Sequence, residues 1–244
     1  MQMNIKECYL IMIIKKMAKY KNIDELNRMI EEGYITKRKH LLADLWIYNY
    51  TPSCMYGKVW NESTLACRGL ILDGDYNIIA RPFSKFFNYE ELTEEQLNSL
   101  KGLSYKTTMK LDGSLGILYW NNDIPNIATR GSFISEQAIK ATEILYAKYS
   151  NIFNLLDKNK TYLFEIIYKQ NKIVIDYGDT EDLFLLAIID NETGKEEDIH
   201  MNNNVSFFMP VGFLLYDMYY KEDLIKQFNC LKNQNNKNEE GYVI

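Results

Sequence analysis

The sequence predicts a mixed α+β domain in which antiparallel sheets pack against flanking helices. Strand-like apolar runs follow one another in its second half, at TYLFEIIY, KIVIDYG, DLFLLAIID and VSFFMPVGFLLYDMYY, and a helix is predicted at Lys221 to Leu231. Capped segments with apolar residues at helical spacing lie before and between the strand-like runs. The 244 residues, 47% of them hydrophobic, are enough for one large domain with a substantial core. We expect residues 1–60 to form a helical and loop segment that packs on a core of residues 61–244.

The first third of the chain contains one predicted helix and two predicted strands. Asn22 to Glu32 begins with an Asn cap and early acidic residues, and Gly33 ends this helix. Leu45 to Tyr50 and Arg68 to Asp73 have the composition of strands. Before them, the sequence KRKH at residues 37–40 is the densest basic cluster in this part of the chain. It is either a solvated loop face or a nucleic-acid contact.

The middle of the chain adds two helices and a short strand. Thr93 and Gln96 have the spacing of a capping box at the start of a short helix. Asn126 to Phe133 is predicted as a short strand that ends in an Arg-Gly-Ser turn, a candidate anion cradle. Ser135 to Tyr149 has small and apolar residues near one face, which predicts a longer helix.

The stretch from Tyr105 to Trp120 carries the most distinctive local signal. Two alternating runs flank Asp112-Gly113, a dipeptide typical of tight hairpins because glycine accepts the positive φ of such a turn. Lys110 would then lie at the mouth of the turn. A lysine in this place is either a solvated side chain on an exposed hairpin or a nucleophilic amine beside a turn that a phosphate can approach.

Three further charged residues have two interpretations each. Arg68 opens an apolar strand, where its guanidinium is either a surface charge or a fixed fork of donors for phosphate oxygens. Lys85 lies in the run FSKFF, whose aromatic rings either pack around the lysine stem or hold its amine at a phosphate. Glu165 interrupts an apolar strand, so it either points to solvent or is buried with a compensating partner or ligand.

Composition and missing motifs exclude several classes of protein. The net charge of -5 gives no global positive field, so nucleic-acid contacts would depend on local basic clusters or bound metal. Four scattered cysteines and two distant histidines argue against a zinc site and favour reduced thiols in the cytoplasm. The apolar run at residues 8–14 is too short for a membrane anchor. No P-loop and no G-x-G-x-x-G motif is present.

Six short motifs follow one another along the sequence. They are Cys67-Arg68-Gly69, Arg81 to Asn88, Lys110 to Ser114, Thr129 to Phe133, Phe164-Glu165 and Glu240 to Val243. In this order they resemble the motifs of covalent nucleotidyltransferases, and among these the RNA ligases of the bacteriophage T4 RNA ligase 1 type. The resemblance implies the adenylation domain of ATP-dependent ligases, with a nucleotide cleft between antiparallel sheets. It also implies three steps, in which Lys110 takes AMP from ATP, the AMP passes to an RNA 5′-phosphate, and an RNA 3′-hydroxyl displaces it.

The resemblance also assigns roles to individual residues. Lys110 is the implied catalytic nucleophile, and RNA ends are the implied partners. Glu165 is implied to hold the ribose, and Glu240 and Glu165 supply the carboxylates that would hold Mg²⁺ or Mn²⁺. Arg130 stands where such families usually have lysine, so only a phosphate contact is carried over to it. The implied nucleotide-binding residues are Arg68, Lys85, Lys110, Asp112, Gly113, Arg130, Glu165 and Glu240.

The sequence departs from the family pattern after Val243. A strand with two lysines and a helical C-terminal domain are expected to follow, whereas the sequence stops at Ile244. We therefore expect either that the chain is a truncated product, which lacks the lysine strand and the C-terminal domain, or that a partner chain supplies the two lysines. Two alternatives stay open. The chain is a catalytically incomplete module that binds nucleotide or RNA ends, or it is a relative of DNA ligases and mRNA-capping enzymes, which residues 81–88 fit poorly.

Overall fold

The computed structural model describes residues 17–100, 108–197 and 242–243. Its strands are β1 (Ile35–Lys39), β2 (Leu45–Tyr50), β3 (Arg68–Asp73), β4 (Ile78–Ala80), β5 (Thr108–Met109), β6 (Ser114–Asn121), β7 (Ile124–Ala128), β8 (Lys160–Ile167), β9 (Asp182–Asp190) and β10 (Tyr242–Val243). Within the described residues, one sheet has the order β1-β2-β3-β4 and a second has the order β7-β6-β8-β9, while β5 pairs with β10. All of these pairings are antiparallel. The predicted α+β class with antiparallel sheets is confirmed.

The helices are short except for one long helix in the middle of the chain. They are α1 (Ile23–Glu31), α2 (Pro52–Gly57), α3 (Glu62–Ala66), α4 (Glu94–Ser99) and α5 (Glu136–Tyr149). The capping box predicted at Thr93 and Gln96 is confirmed, and the Ser135 hydroxyl caps α5 by accepting from the Ala138 amide. Asn22 lies at the predicted N-cap position of α1, but its side chain makes no capping hydrogen bond. None of the helices described is both long and apolar enough to cross a membrane.

The two four-stranded sheets face each other across a shared apolar core. Successive strand residues point to opposite faces, so Ile47 packs into the core between the sheets, whereas Tyr48 packs on the outer face of the first sheet. Leu26 from α1 covers that outer face. On the second sheet, Ile117 points inward, and Leu118 points outward to the α5 side. The result is four layers, with each sheet covered by helices on its outer face.

Several local predictions differ from the structure. The basic cluster at residues 37–40 is not a loop, because residues 37–39 belong to β1. The strand predicted to reach Phe133 ends at Ala128, and a turn follows it. Residues 172–178 form no strand, since backbone amides there bind a side chain. The strand and helix predicted for residues 205–231 lie outside the described residues. The division near residue 60 stays a prediction, and the first sheet contains strands from both sides of it.

Candidate active site

Lys110 lies between two different sheets. It directly follows β5, whose partner is β10, and the chain then enters β6 of the second four-stranded sheet. In the β5–β10 pair, Met109 is opposite Tyr242. This register brings the backbone that follows Glu240-Gly241 beside the residue that precedes Lys110. The Lys110 side chain is exposed.

The predicted hairpin at Asp112-Gly113 is wrong. β6 pairs with β7 and β8, and no described strand before Gly113 pairs with it. Gly113 also lacks the positive φ that a tight hairpin would require. A glycine is needed here for close packing instead, because a Cβ on Gly113 would lie 2.5 Å from the carbonyl oxygen of Ile166. The turn signal in the sequence therefore marks a close approach to β8.

Asp112 is a buried carboxylate whose partners come from a distant loop. It is 3% exposed, and its Oδ2 accepts hydrogen bonds from the backbone amides of Val174 and Ile175, the second at 2.6 Å. The Asp112 amide donates to the Tyr177 hydroxyl at 2.9 Å. These bonds replace the strand ladder predicted for residues 172–178. They fasten this loop to the segment that follows Lys110.

Glu165 is directly joined to the same segment. It lies within β8, partly buried and opposite Leu115 of β6, and its Oε1 accepts the amide of Gly113 at 2.9 Å. Beside it, the Ser114 hydroxyl donates to Asn171 Oδ1 at 3.0 Å. The interpretation of Glu165 as a strand-end residue that only faces solvent is therefore wrong. The Glu165 carboxylate is thus held against the segment that follows Lys110.

Arg68 owes its position to an irregularity in the first sheet. Tyr48 pairs with Leu70 and Asn49 pairs with Arg68, so Gly69 is the extra residue of a β-bulge. Gly69 has φ +105°, and a Cβ on it would lie 2.4 Å from Ile117 Cδ1 and 3.2 Å from the Arg130 backbone. Only glycine fits here. The bulge thus brings the start of β3 against the turn that carries Arg130.

Arg68 and Arg130 meet at the hydroxyl of Tyr50. Arg130 Nη1 donates to Tyr50 Oη at 3.5 Å, and Arg68 is in electrostatic contact with the same hydroxyl. Burial lowers the pKa of the Arg68 guanidinium, and the positive charge of Arg130 lowers it further. The negative charge of Glu165 raises the pKa of Arg68, so this carboxylate lies close enough to interact electrostatically with the guanidinium. Two neighbouring guanidinium groups, one of them largely desolvated, form a site that an anion would stabilise.

Lys85 lies next to this pair among aromatic rings. Its Nζ is 4.1 Å from the centroid of the Phe87 ring and 5.7 Å from that of Trp60, and it donates to the backbone oxygen of Phe86. Arg68 stacks on Phe86, with its Cζ atom 4.6 Å from the centroid of the ring. Burial lowers the pKa of Lys85, and the charge of Arg68 contributes to this effect. The aromatic rings pack around Lys85, and its charge adds to the cationic cluster, whereas a phosphate contact of its amine stays a prediction.

The structure therefore brings the predicted residues together in two connected groups. Asp112, Gly113 and Glu165 form one group behind Lys110, and Arg68, Lys85 and Arg130 form the other. Glu240 lies outside the described residues. Across residues 17–100, 108–197 and 242–243, no three carboxylate, histidine or cysteine side chains converge as a metal site would require. The assignment of Glu165 and Glu240 as metal ligands stays a prediction.

Sequence reasoning missed three residues of this site. Tyr50 lies in a predicted strand, and nothing local indicates that two arginines would meet its hydroxyl. Asn171 and Tyr177 hold the segment after Lys110, and they lie about 60 residues downstream of it. The polar residues that interrupt IIYKQNKIVIDYG could have indicated a loop, because Asn, Asp and Gly favour turns over strands.

Comparisons with known proteins agree with the motif positions. A family model described as RNA ligase matches residues 66–244. The chain is 30% identical over 202 residues to an Autographa californica nuclear polyhedrosis virus protein that carries the name of a bifunctional polynucleotide kinase/RNA ligase, covering 73% of this chain and 28% of that protein. It is 33% identical over 120 residues to a Thermovibrio ammonificans protein named as an RNA ligase, covering 48% of this chain and 31% of the relative.

A solved structure of a Naegleria gruberi RNA ligase variant with ATP and Mn covers 93% of this chain and 78% of its own, at 16% identity and a TM-score of 0.49. The chain spans less than a third of the length of the two curated relatives. The family match includes all of the motif residues described above and covers well over half of the sequence. The chain therefore belongs to the RNA ligase family.

Proposed function

We propose that this chain is the adenylyltransferase domain of an ATP-dependent RNA ligase. Lys110 Nζ attacks the α-phosphorus of ATP, so that an N–P bond forms, the bond to pyrophosphate breaks, and the amine proton passes to solvent. The AMP then passes from Lys110 to the 5′-phosphate of an RNA. A 3′-hydroxyl of RNA attacks that phosphate, joins the two ends and releases AMP.

The observation that carries the proposal is the convergence of distant elements on the segment after Lys110. Gly113 is bonded to Glu165 of β8 at 2.9 Å, and the Asp112 carboxylate is bonded to backbone amides 62 and 63 residues away in sequence. A solvated surface lysine needs no such anchoring. An enzyme nucleophile does, because the attacking atom must be held close to its target in the correct direction.

The cationic cluster supplies the second requirement of the reaction, which is charge stabilisation. Arg68, Lys85 and Arg130 come from three separate segments of the chain. Arg68 stacks on Phe86, Lys85 lies over Phe87 and Arg130 bonds to the Tyr50 hydroxyl, so three positive charges are held close together. We expect phosphate oxygens to bind these charges. Donors fixed before the substrate arrives lower the barrier without reorganisation, and removal of one such donor typically costs about 100- to 1000-fold in rate.

A divalent cation suits the remaining residues by type. Carboxylate oxygens are the ligands that Mg²⁺ prefers, and Glu165 and Glu240 are the residues that would hold it. When bound, Mg²⁺ or Mn²⁺ would neutralise charge on the phosphates. The bond from the Gly113 amide to Glu165 Oε1 holds this carboxylate beside the segment that follows Lys110.

Transfer of labelled AMP to the protein tests the proposal. The chain is incubated with Mg²⁺ and α-labelled ATP or GTP, and a denaturing gel shows whether label is covalently bound. Intact-protein mass spectrometry then counts the added groups. We expect one AMP from ATP and none in Lys110→Arg, which keeps the charge but lacks a nucleophilic amine. Lys172→Arg is the matched control, because Lys172 is a nearby exposed lysine whose known partner is Asp176, at 2.9 Å.

Each outcome of this assay decides between functions. Label in Lys110→Arg would contradict the assignment of the nucleophile. Transfer from GTP in place of ATP would favour a capping-type enzyme. If ATP binds without covalent transfer at any Mg²⁺ or Mn²⁺ concentration, the chain is a binding module. A 5′-phosphorylated RNA and a DNA of the same sequence, each offered with a 3′-hydroxyl acceptor, separate RNA ligation from DNA ligation.

A further inference from the structure

The outermost strand of the first sheet carries three consecutive cations. In β1, Ile35 is buried and the four residues after it are exposed. Lys37, Arg38 and Lys39 alternate across the sheet, and we call this set the β1 cation track. β2 pairs with one side of β1, and the other side has no strand partner among the described residues. Both faces and the edge of β1 thus present positive charge.

The contacts of the track hold its charges in place. Lys37 Nζ lies 4.2 Å from the centroid of the Trp46 ring and Lys39 Nζ lies 5.2 Å from it. On the opposite face, Arg38 Nη1 donates to the carbonyl oxygen of Gly131 at 3.3 Å. Stacking on a ring leaves the charge of a lysine unchanged and restricts the rotamers of its side chain, so such lysines are better ordered than solvated ones.

Among the residues that the structure describes, no carboxylate pairs with the track, although such pairs are common elsewhere on the surface. On the second sheet and its helix, Lys140 pairs with Glu181 at 2.9 Å, and Lys160 pairs with Glu197 at 2.6 Å. Within the described residues, the structure records only ring and backbone contacts for the three side chains of the track. In a chain with a net charge of -5, a run of cations without acidic partners is a local exception that suits an anionic ligand.

The track continues into the candidate active site. Arg38 binds the carbonyl of Gly131, and the preceding residue, Arg130, bonds to Tyr50 beside Arg68. Cations therefore follow one another from the edge of the sheet to the phosphate cluster. ATP would occupy only the inner end of such a series. A longer polyanion is needed to use its outer end.

We propose that the β1 cation track binds the phosphate backbone of the RNA strand next to the end that is joined, an inference that rests on the proposed function. Base recognition is not part of it, because Lys37 and Lys39 cover the Trp46 ring that a base would otherwise stack on. Binding through phosphates alone is independent of sequence and weakens with salt. The track would thus hold RNA ends of any sequence.

The test measures RNA affinity as a function of salt. A labelled, 5′-phosphorylated single-stranded RNA of about 20 nucleotides is titrated by fluorescence anisotropy between about 50 and 200 mM salt. The variant combines Lys37→Ala, Arg38→Ala and Lys39→Ala. Its matched control makes the same change in net charge elsewhere on the surface, and combines Lys148→Ala in α5 with Lys158→Ala and Lys195→Ala in the loops beside the second sheet.

We expect the track variant to bind RNA at least about tenfold more weakly at the lowest salt, with a log–log salt slope shallower by about 2, since each single-strand phosphate contact contributes about 0.7. The control should stay within about twofold of the parent. Arg38→Gln alone leaves the lysines on Trp46 undisturbed and should reduce the slope by about 0.7, which keeps the test valid if the triple variant folds poorly.

Two results would overturn the proposal. One is an unchanged affinity and slope in the track variants. The other is an equal loss in the control, which would show that only net charge matters. Self-adenylylation without RNA is measured on the parent in parallel. If the parent fails to adenylylate, the proposed function is contradicted, whereas the RNA titration still decides whether the track binds RNA.

Discussion

Replacing Gly113 by alanine tests whether close packing on β8 positions the segment after Lys110. The new Cβ would lie 2.5 Å from the Ile166 carbonyl oxygen and 3.2 Å from Glu165 Cγ and Oε1. β8 is paired with both β6 and β9, so the segment at Gly113 has to move away from β8. That movement breaks the bond from the Gly113 amide to Glu165, worth about 1.5–3 kcal/mol with a charged acceptor. Residual overpacking adds about 1–3 kcal/mol.

We therefore expect Gly113→Ala to lower the free energy of unfolding by about 2.5–6 kcal/mol. We also expect self-adenylylation to slow by about 100-fold, because a misplacement of about 1 Å at a nucleophile has an effect of that size. Urea unfolding followed by tryptophan fluorescence measures the first effect, and single-turnover transfer of labelled AMP measures the second.

Gly131→Ala is the matched control for this substitution. A Cβ on Gly131 would have only Asn49 Nδ2 near it, at 3.8 Å, and the carbonyl that binds Arg38 is unchanged. We expect its stability to stay within about 0.5 kcal/mol of the parent. The reasoning is refuted if the two alanine variants are equally stable and adenylylate at equal rates.

Two further predictions concern titration and metal dependence. His40 Nδ1 accepts hydrogen bonds from the amides of Leu42 and Ala43, each at 3.1 Å, and burial lowers its pKa from 6.5. The unfolded chain therefore binds the proton more readily, so stability should fall as the pH drops below about 6.5, and denaturation curves of His40→Gln should lack this component. In self-adenylylation, raised Mn²⁺ should partly rescue Glu240→Ala. It should not rescue Glu165→Ala, because Glu165 also holds the Gly113 amide. Equal rescue of both variants would contradict the distinction between the two residues.

Local patterns in the sequence determined most of the regular elements. β2 and β3 were predicted with the bounds that the structure shows, and so was the capping box at Thr93. The buried face of α5 follows the spacing of Ala138, Ala141, Leu145 and Tyr149. Such features are set by neighbours within a few residues, through side-chain period and local hydrogen bonds. The motif residues were likewise found from their order along the chain.

The arrangement of the site was decided by contacts between distant residues. Asp112-Gly113 has the local signature of a hairpin, yet pairing of β6 with β8 makes the glycine a point of close approach. Residues 172–178 have the composition of a strand, yet their amides satisfy the buried carboxylate of Asp112. A buried charge costs more to leave without partners than a short strand gains by pairing.

Contacts between distant segments also explain two features that the sequence did not predict, the position of Tyr50 and the strand at residues 37–39. Tyr50 joins Arg68 and Arg130 only because the bulge at Gly69 brings two sheets into contact. Residues 37–39 belong to an edge strand because every residue of β1 pairs with a residue of β2. The sequence by itself determined which residues carry the chemistry, since residue type is a local property. Only the tertiary structure decided which of them meet, because strand register and bulges depend on pairing between segments far apart in the chain.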